Sequence, residues 1–202
     1  MKTLQELKNL IGDTDIYLID QIFKDRYGAA DIILDAGCGG GRNMHWFLRS
    51  EIAIYGLDSD EMAIAALQWN NPSLPKERFV VAPVENMPFA DHFFDHIISS
   101  AVLHFAESKT LFMQMLSEML RVLKPNGTLF IRMSSDIGIE NYVTPIQHGV
   151  YNIPDGSVRF LLTRPLLAYI MNENQLTFID PLKTVNVDDV RCMSTLMLRK
   201  YK

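Results

Sequence analysis

A chain of 202 residues, 48% of them hydrophobic, is long enough to bury one sizeable core, and a single domain is the simplest expectation. Its net charge of −5 at pH 7 argues against the basic surface of a nucleic-acid-binding protein. No apolar run approaches the roughly 20 residues that cross a bilayer, and the amino terminus lacks the uncharged core of a signal peptide. We therefore expect a cytoplasmic protein, monomeric or homodimeric, that binds neither nucleic acid nor a membrane.

Helical and strand patterns alternate along most of the chain. The predicted helices cover residues 14–27, 43–49, 61–69, 109–123 and 164–172. The predicted strands cover residues 32–34, 52–57, 78–82, 96–100, 128–132, 176–179 and 192–198. This alternation predicts a doubly wound parallel sheet with right-handed crossovers. Residues 136–156 are polar and without a clear period, which is typical of a lid or a binding segment.

The first strand ends in a carboxylate, Asp35, and leads into residues 37–41, which contain four glycines. Glycines allow positive φ angles and let a ligand come close to the main chain. The helix that follows would direct unpaired N–H groups toward that ligand. Asp58 ends the next strand, and an acid about 20 residues beyond a glycine-rich turn is placed to bind a ribose. The pattern therefore predicts a site for an adenosine-containing ligand.

Two details separate the candidate ligands. The dinucleotide fingerprint Gly-x-Gly-x-x-Gly fails, because Arg42 stands where its third glycine would be. Asp35 would repel a pyrophosphate but attract an ammonium. S-adenosylmethionine carries an ammonium and a sulfonium and has no phosphate. The residues therefore favour S-adenosylmethionine, and a nicotinamide-dependent oxidoreductase is the weaker alternative.

Five segments in order resemble the class I, Rossmann-like S-adenosylmethionine-dependent methyltransferases of the small-molecule type. They are residues 34–41 (LDAGCGGG), 56–58 (GLD), 85–89 (ENMPF), 93–98 (FFDHII) and 118–129 (EMLRVLKPNGTL). The resemblance implies an α/β fold, a three-layer α-β-α sandwich with a mostly parallel, seven-stranded, doubly wound sheet and an antiparallel C-terminal strand. It also implies methyl transfer to a small-molecule acceptor by in-line displacement, with S-adenosylhomocysteine as product. A catalytically inactive S-adenosylmethionine-binding or regulatory module is the alternative.

The resemblance implies that the cofactor-binding residues are Asp35, Gly37, Cys38, Gly39, Gly41, Asn43, Asp58, Ser59, Met62, Val84, Glu85 and Ser99. Asp35 and the glycine loop would hold the amino-acid end of the cofactor, and Asp58 the ribose hydroxyls. Met62 matches a position that packs on the adenine, although plain helix core explains it equally well. The chain departs from the family at Pro83, where many relatives carry the acid that binds adenine. Glu85 could take that role or be a solvated loop acid.

His104, just beyond the fourth strand, is the candidate catalytic residue. An imidazole can serve as a general base near neutral pH, and in the family this loop borders the reacting methyl group. A structural histidine that fixes the loop is the alternative. His92 and His96 flank a turn and a strand start, so their side chains need not converge, and we expect no metal. Five polar side chains of the N-terminal helix and the long insertion are placed to reach the acceptor: Tyr17, Tyr142, His148, Tyr151 and Arg159.

These assignments divide one methyltransferase domain, residues 1–202, into four parts. Residues 1–30 are expected to form an N-terminal helical cap, and residues 31–133 the cofactor-binding core. Residues 134–163 are expected to form an insertion or lid, and residues 164–202 the C-terminal strands on the substrate side.

Overall fold

The computed structural model describes residues 3–201. Its helices are α1 (Leu4–Ile11), α2 (Ile16–Phe23), α3 (His45–Arg49), α4 (Glu61–Asn70), α5 (Lys109–Val122) and α6 (Arg164–Glu173). Its strands are β1 (Ile32–Ala36), β2 (Ala53–Asp58), β3 (Phe79–Val81), β4 (Phe94–Ser100), β5 (Leu123–Ser135), β6 (Thr144–Gln147), β7 (Val150–Asn152), β8 (Val158–Phe160), β9 (Leu176–Phe178), β10 (Lys183–Val187) and β11 (Arg191–Lys200). Two 3-10 turns, Lys76–Arg78 and Leu103–Phe105, precede β3 and α5. None of the helices within residues 3–201 has the length and hydropathy that a bilayer crossing requires.

The main sheet has the strand order β10-β11-β5-β4-β1-β2-β3. The pairs from β3 to β5 are parallel, whereas β11 runs antiparallel to both β5 and β10. The predicted α/β class, with a mostly parallel doubly wound sheet and an antiparallel C-terminal strand, is therefore confirmed. The path across the sheet has seven strands, six of which are predicted from the sequence, and the unpredicted one is β10. The predicted strand over residues 176–179 is β9, an eighth strand that pairs with β11 off this path.

Helices cover both faces of this sheet, because successive side chains of a strand point to opposite faces. In β1, Leu34 belongs to the apolar cluster that contains Phe112 of α5. The adjacent Ile33 belongs to a second cluster, with Phe47 of α3 and Ile64 of α4. All five side chains are at most 1% exposed. This burial explains why the central strands are apolar on both faces and accounts for the three layers of the sandwich.

Some predicted boundaries are wrong. The helix predicted over residues 14–27 ends at Phe23, and it is capped by Asp15, whose carboxylate accepts a hydrogen bond from the N–H of Tyr17. The fifth strand begins at Leu123 rather than residue 128. It does so because the chain pairs with β4 on both sides of the Pro-Asn-Gly segment 125–127, with a shift in register between the two.

The sequence patterns do not predict α1, β10 or the small antiparallel sheet of β6, β7 and β8. The segment of residues 136–156 therefore holds two strands, β6 and β7, of this small sheet. Neither β6 nor β7 contains a buried residue, so neither needs the apolar alternation that marks a half-buried strand. Helix α1 also has no buried residue, but the capping box of Thr3 and Glu6 at its start is a helix signal missed by sequence reasoning.

The parallel strands end at one edge of the sheet, where ligands bind in open α/β folds. Asp35 of β1, Asp58 of β2 and Ser100 of β4 lie at this edge. The N-terminal helices are joined to it through Asp15, whose carboxylate lies 3.4 Å from the hydroxyl of Ser100. The small sheet is joined to it where β8 contacts the 3-10 turn Leu103–Phe105.

Candidate active site

Two adjoining clefts open at this edge, and Gly37 and Ala101 line both of them. The first, here called the β2 cleft, has a volume of about 480 Å³ and is also lined by Asp58, Ser59, Pro83, Val84, Glu85, Val102, Phe105, Leu111 and Met115. The second, here called the loop cleft, has a volume of about 560 Å³ and is also lined by Gly12, Asp13, Cys38, Gly39, Gly40, Gly41, Arg42, His45 and Ser100. Each volume lies in the range of small-molecule sites.

The glycine loop is held at its start by hydrogen bonds across the sheet. The N–H groups of Gly37 and Cys38 donate to the carbonyl of Leu57 at 2.7 and 3.0 Å. Gly37 has a φ of +80°, and a Cβ built there would overlap the Cγ2 methyl of Val102. Glycine is therefore required at this position. It brings the main chain to the wall of both clefts with no side chain in between.

Asp58 is fixed at the end of β2 by two backbone donors. Its Oδ2 accepts from the N–H of Gly39 at 2.7 Å, and its Oδ1 accepts from the N–H of Asp60 at 2.9 Å. Each carboxylate oxygen can accept a second hydrogen bond, and Asp58 is half-buried in the wall of the β2 cleft. Its carboxylate therefore joins the loop to the cleft and keeps acceptor capacity for ligand hydroxyls.

Asp35 is a buried carboxylate without a partner for one of its oxygens. It is 1% exposed, and its Oδ2 has no hydrogen-bond partner among the residues that the structure describes. Burial is the main reason that the pKa of Asp35 is raised to about 7; Arg42 opposes the increase and Asp58 adds to it. An unpaired buried carboxylate is unfavourable, so a cationic ligand group beside the loop would relieve it. The residues present therefore fit an ammonium-bearing cofactor better than a phosphate-bearing one.

The predicted cofactor residues fall into two groups. Those that line the clefts are Gly37, Cys38, Gly39, Gly41, Asp58, Ser59, Val84 and Glu85. Those outside the linings are Asp35, Asn43, Met62 and Ser99. Asn43 is 4% exposed and accepts the N–H of Asp15 at 3.0 Å, and Ser99 is fully buried in β4. Met62 is 81% exposed on the first turn of α4, so plain helix core does not explain it.

His104 is buried against β5. It is 6% exposed, and its Nδ1 accepts a hydrogen bond from the N–H of Ser134 at 3.2 Å. The pKa of His104 is lowered to about 4, first by burial and then by the positive charges of Arg159 and Arg132. The imidazole is therefore neutral at pH 7, and the hydrogen bond from Ser134 assigns its proton to Nε2. In this form the imidazole is a weak base, and its Nε2–H can donate but not accept a hydrogen bond.

An ion-pair cluster at the end of β5 is missed by sequence reasoning. The Oδ2 of Asp15, whose side chain is 5% exposed, lies 3.3 Å from the Nη1 of Arg132 and 3.9 Å from the Nη2 of Arg42. The one signal for it is the arginine that ends the otherwise apolar stretch Leu129–Ile131 in β5. The cluster fastens the N-terminal helices to the sheet edge.

Two of the five predicted acceptor-side residues, Tyr17 and Arg159, lie near this edge of the sheet, although neither lines a cleft. The Cζ of Arg132 lies 5.1 Å from the ring centre of Tyr17. The Cζ of Arg159 lies 5.0 Å from the ring centre of Phe105, which lines the β2 cleft. The other three lie elsewhere, two in a separate cavity of about 570 Å³ beside α6 and one exposed to solvent: His148, Tyr151 and Tyr142.

His92 and His96 are each held by other partners. The Nδ1 of His92 lies 3.1 Å from the carbonyl of Leu123. His96 bonds through Nδ1 to Thr128 at 2.7 Å and through Nε2 to Asp31 at 3.0 Å. Within residues 3–201, no three His, Cys, Asp or Glu side chains are grouped so as to hold a metal ion.

Parts of this sequence are similar to known proteins. Residues 34–131 match the family model described as a methyltransferase domain. The chain is 30% identical over 109 residues to the tRNA (carboxymethyluridine(34)-5-O)-methyltransferase of Arabidopsis thaliana, a match that covers 54% of this chain and 25% of that protein. In three curated relatives the match spans between 25% and 43% of their length, less than half in each.

Solved structures show the same fold over nearly the whole chain. The PH0226 protein of Pyrococcus horikoshii OT3 has a TM-score of 0.72 at 18% identity, covering 98% of this chain and 92% of that one. The 1,6-didemethyltoxoflavin-N1-methyltransferase of Burkholderia thailandensis was solved with 1,6-didemethyltoxoflavin and S-adenosylhomocysteine bound. It has a TM-score of 0.70 at 19% identity, covering 98% of this chain and 82% of that one.

The fold is that of the class I, Rossmann-like, S-adenosylmethionine-dependent methyltransferases, and residues 34–131 match the methyltransferase domain model. The resemblance read from the sequence is thereby confirmed, and the domain match and the S-adenosylhomocysteine bound in the Burkholderia neighbour support S-adenosylmethionine as the cofactor. Its ammonium group is the cation that the buried Asp35 suits.

Proposed function

We propose that this protein transfers a methyl group from S-adenosylmethionine to a small-molecule acceptor. The observation that carries the proposal is Asp35, whose buried, unpaired carboxylate directly precedes the glycine loop and suits an ammonium-bearing ligand. The net charge of −5 disfavours a nucleic-acid substrate, and the Burkholderia neighbour is named for the methylation of a small molecule. The Arabidopsis relative is named for a tRNA substrate, but the match covers only a quarter of that protein.

The two clefts suggest how the cofactor lies. The amino-acid end belongs at the loop cleft beside Asp35, and the ribose at Asp58, whose oxygens keep acceptor capacity. The adenine belongs in the β2 cleft, where Glu85 is the acid available because Pro83 offers neither a carboxylate nor an N–H. Met62 is exposed on the neighbouring helix and free to cover the adenine.

Three residues support the site without lining it. Asn43 holds the start of α2 through the N–H of Asp15, and Ser99 packs at the centre of the sheet. His104 fixes the turn after β4 through the N–H of Ser134. We assign His104 a positioning role in place of the predicted general base, because its Nδ1 is occupied and the pKa of the imidazole is near 4.

When bound, S-adenosylmethionine supplies a methyl group on a sulfonium, which is already activated toward displacement. The contribution of the chain is then to hold the acceptor in line and to exclude water, and orientation alone is worth several kcal/mol. The N-terminal cap and the insertion of residues 134–163 are the parts suited to that task. Asp15 ties the cap to the sheet edge, and β8 contacts the turn that carries Phe105. A cytoplasmic location and a monomeric or homodimeric state complete the proposal.

Calorimetry with S-adenosylmethionine, S-adenosylhomocysteine and NAD tests the cofactor site directly. We expect both sulfur ligands to bind and NAD not to bind; failure of both sulfur ligands would contradict the proposal. A radiolabelled methyl donor is then offered with a cell extract and with panels of thiols, phenols, amines and carboxylic acids. Binding without any transfer of label would favour the alternative, an inactive S-adenosylmethionine-binding or regulatory module.

A further inference from the structure

A strip of side chains runs from the β2 cleft to α2, on both sides of His104. Phe105 lines the cleft, its ring centre lies 4.5 Å from that of His104, and the guanidinium of Arg159 covers it at 5.0 Å. On the other side, Ser134 of β5 bonds to His104. Arg132 lies two residues before Ser134 and therefore on the same face of the strand. We call these five residues the arginine strip.

The strip itself carries two positive charges, those of Arg132 and Arg159, and no carboxylate. Arg132 and Arg42 share one carboxylate, that of Asp15, at 3.3 and 3.9 Å. Within residues 3–201, Arg159 has no acidic side chain within ion-pair distance, and its Nη1 donates only to the carbonyl of Val158 at 2.7 Å. Asp35 and Asp155 act electrostatically on Arg42 and Arg159 from beyond ion-pair distance. Two positive charges in the strip therefore stand out in a protein whose overall net charge is −5.

Both arginines of the strip have unused donors. The Nε of Arg132 is buried without a hydrogen-bond partner among the described residues. A guanidinium presents five N–H donors, so Arg159 also has donors free. Planar guanidiniums bind carboxylates and phosphates through paired hydrogen bonds. The electrostatic effect of both arginines on the pKa of His104 agrees with their positions on either side of the imidazole.

Building on the proposed function, we propose that the methyl acceptor carries an oxyanion, a carboxylate or a phosphate, which the arginine strip binds while the accepting atom lies in the β2 cleft. Arg159 is the specificity-determining residue, because its guanidinium is free of acidic partners and lies on the cleft-lining Phe105. Arg132 is already paired with Asp15 and supplies the second positive charge. The excess positive charge disfavours cationic acceptors such as protonated amines.

The test uses the full chain saturated with S-adenosylhomocysteine and two probes of equal shape, benzoate and benzamide, with phenyl phosphate as a third. Binding is followed through the NMR signals of the arginine Nε–H groups. We expect benzoate or phenyl phosphate, but not benzamide, to shift the signals of Arg159 and Arg132. The anion that binds more tightly indicates whether the methyl acceptor carries a carboxylate or a phosphate. Equal shifts with benzoate and benzamide, or no shift with either anion, would overturn the inference.

Arg159→Gln removes the free charge without disturbing a buried ion pair, and we expect it to weaken binding of the anionic probe at least fivefold. Arg199→Gln is the matched control. Arg199 is exposed on β11, opposite Thr128, which lies four residues before Arg132 in β5, and its loss should leave binding unchanged. An unchanged affinity in Arg159→Gln would overturn the inference. Each titration is repeated without S-adenosylhomocysteine, so that a failure of the cofactor to bind counts against the proposed function alone.

Discussion

The main-chain N–H of Gly39 donates a 2.7 Å hydrogen bond to the Oδ2 of Asp58. This contact ties the glycine loop after β1 to the end of β2, beyond the last paired residues of the two strands, Ala36 and Leu57. One carboxylate therefore sets the position of the loop and also faces the β2 cleft. A change at Asp58 should affect both ends of the cofactor site.

Asp58→Asn should weaken S-adenosylhomocysteine binding and also lower the stability, because one amide oxygen replaces the two carboxylate oxygens that accept from Gly39 and Asp60. The amide keeps one acceptor for the loop but loses the charge-assisted hydrogen bonds to a ribose, which is worth about 1.5–3 kcal/mol, or on the order of 10- to 100-fold in Kd. Calorimetry measures the affinity. Asp60→Asn is the control, because it removes the same charge two residues away and asparagine still caps α4. Equal losses in the two variants would refute the ribose role of Asp58.

Gly37→Ala should destabilise the protein by about 2–4 kcal/mol, since it combines a positive φ with overlap against Val102. Urea denaturation provides the measurement. Gly40→Ala is the control in the same loop. A Cβ there meets nothing within 4 Å, and we expect a change within about 0.5 kcal/mol. The double variant Gly37→Ala, Val102→Ala should recover the steric part of the loss; no recovery would contradict the proposed overlap.

The central sheet and the ends of its first two strands are predictable from the sequence because their signals are local. Ile33 and Leu34 are apolar because both faces of β1 are buried. Asp35 and Asp58 directly follow apolar stretches of β1 and β2, so the strand pattern alone places them at the edge of the sheet.

The segments beside the ligand-binding edge of the sheet, which are the N-terminal helices and the small sheet, are not predictable in the same way. The small sheet is exposed, so no apolar period marks it. The contact of Asp15 with Arg132 joins residues far apart in the chain, and neither residue type indicates its partner. The neutral state of His104 depends on its burial and on Arg159 and Arg132, and its tautomer depends on a backbone N–H from β5. No sequence pattern predicts these contacts.

The pKa of Asp35, raised to about 7, predicts a specific pH dependence of stability. The folded protein holds this proton more tightly than the unfolded chain, whose carboxyl has a pKa near 3.9. The free energy of unfolding should therefore fall as the pH rises from about 4 to 7. Asp35→Asn should lack this decrease and be more stable than the wild type at pH 8, by at most roughly 4 kcal/mol. Urea denaturation at pH 5 and pH 8 measures how the free energy of unfolding changes with pH in the wild type and in Asp35→Asn. Equal changes in the two proteins would contradict the burial of an ionisable group at residue 35.

The same carboxyl should couple cofactor binding to pH. A bound ammonium favours the ionised carboxylate, so S-adenosylhomocysteine should bind more tightly as the pH rises through 7 and should release a proton below it. Calorimetry at pH 6 in two buffers of different ionisation enthalpy detects that proton. We expect it to be absent in Asp35→Asn, and its persistence there would assign it to another group.

His104 should make stability depend on pH in the opposite direction. The pKa of its imidazole falls to about 4 in the folded protein, so the unfolded chain binds the proton more tightly. Stability should therefore be full above pH 6.5 and fall as the pH drops toward 4, by at most roughly 3 kcal/mol. His104→Asn keeps an acceptor for the N–H of Ser134 but cannot titrate, and it should lack this acid-induced loss.

The same variants separate a positioning residue from a general base. If His104 positions the turn, His104→Asn should retain most of the methyl-transfer rate, His104→Ala should lose more, and neither should change the shape of the pH–rate profile between pH 6 and 9. If His104 were a general base, both variants should lose the methyl-transfer rate to the same extent. The rising limb of the pH–rate profile should also disappear in both. Rates measured with the acceptor found in the radiolabel screen decide between the two, because the asparagine replaces the Nδ1 acceptor while removing every proton that the imidazole could carry.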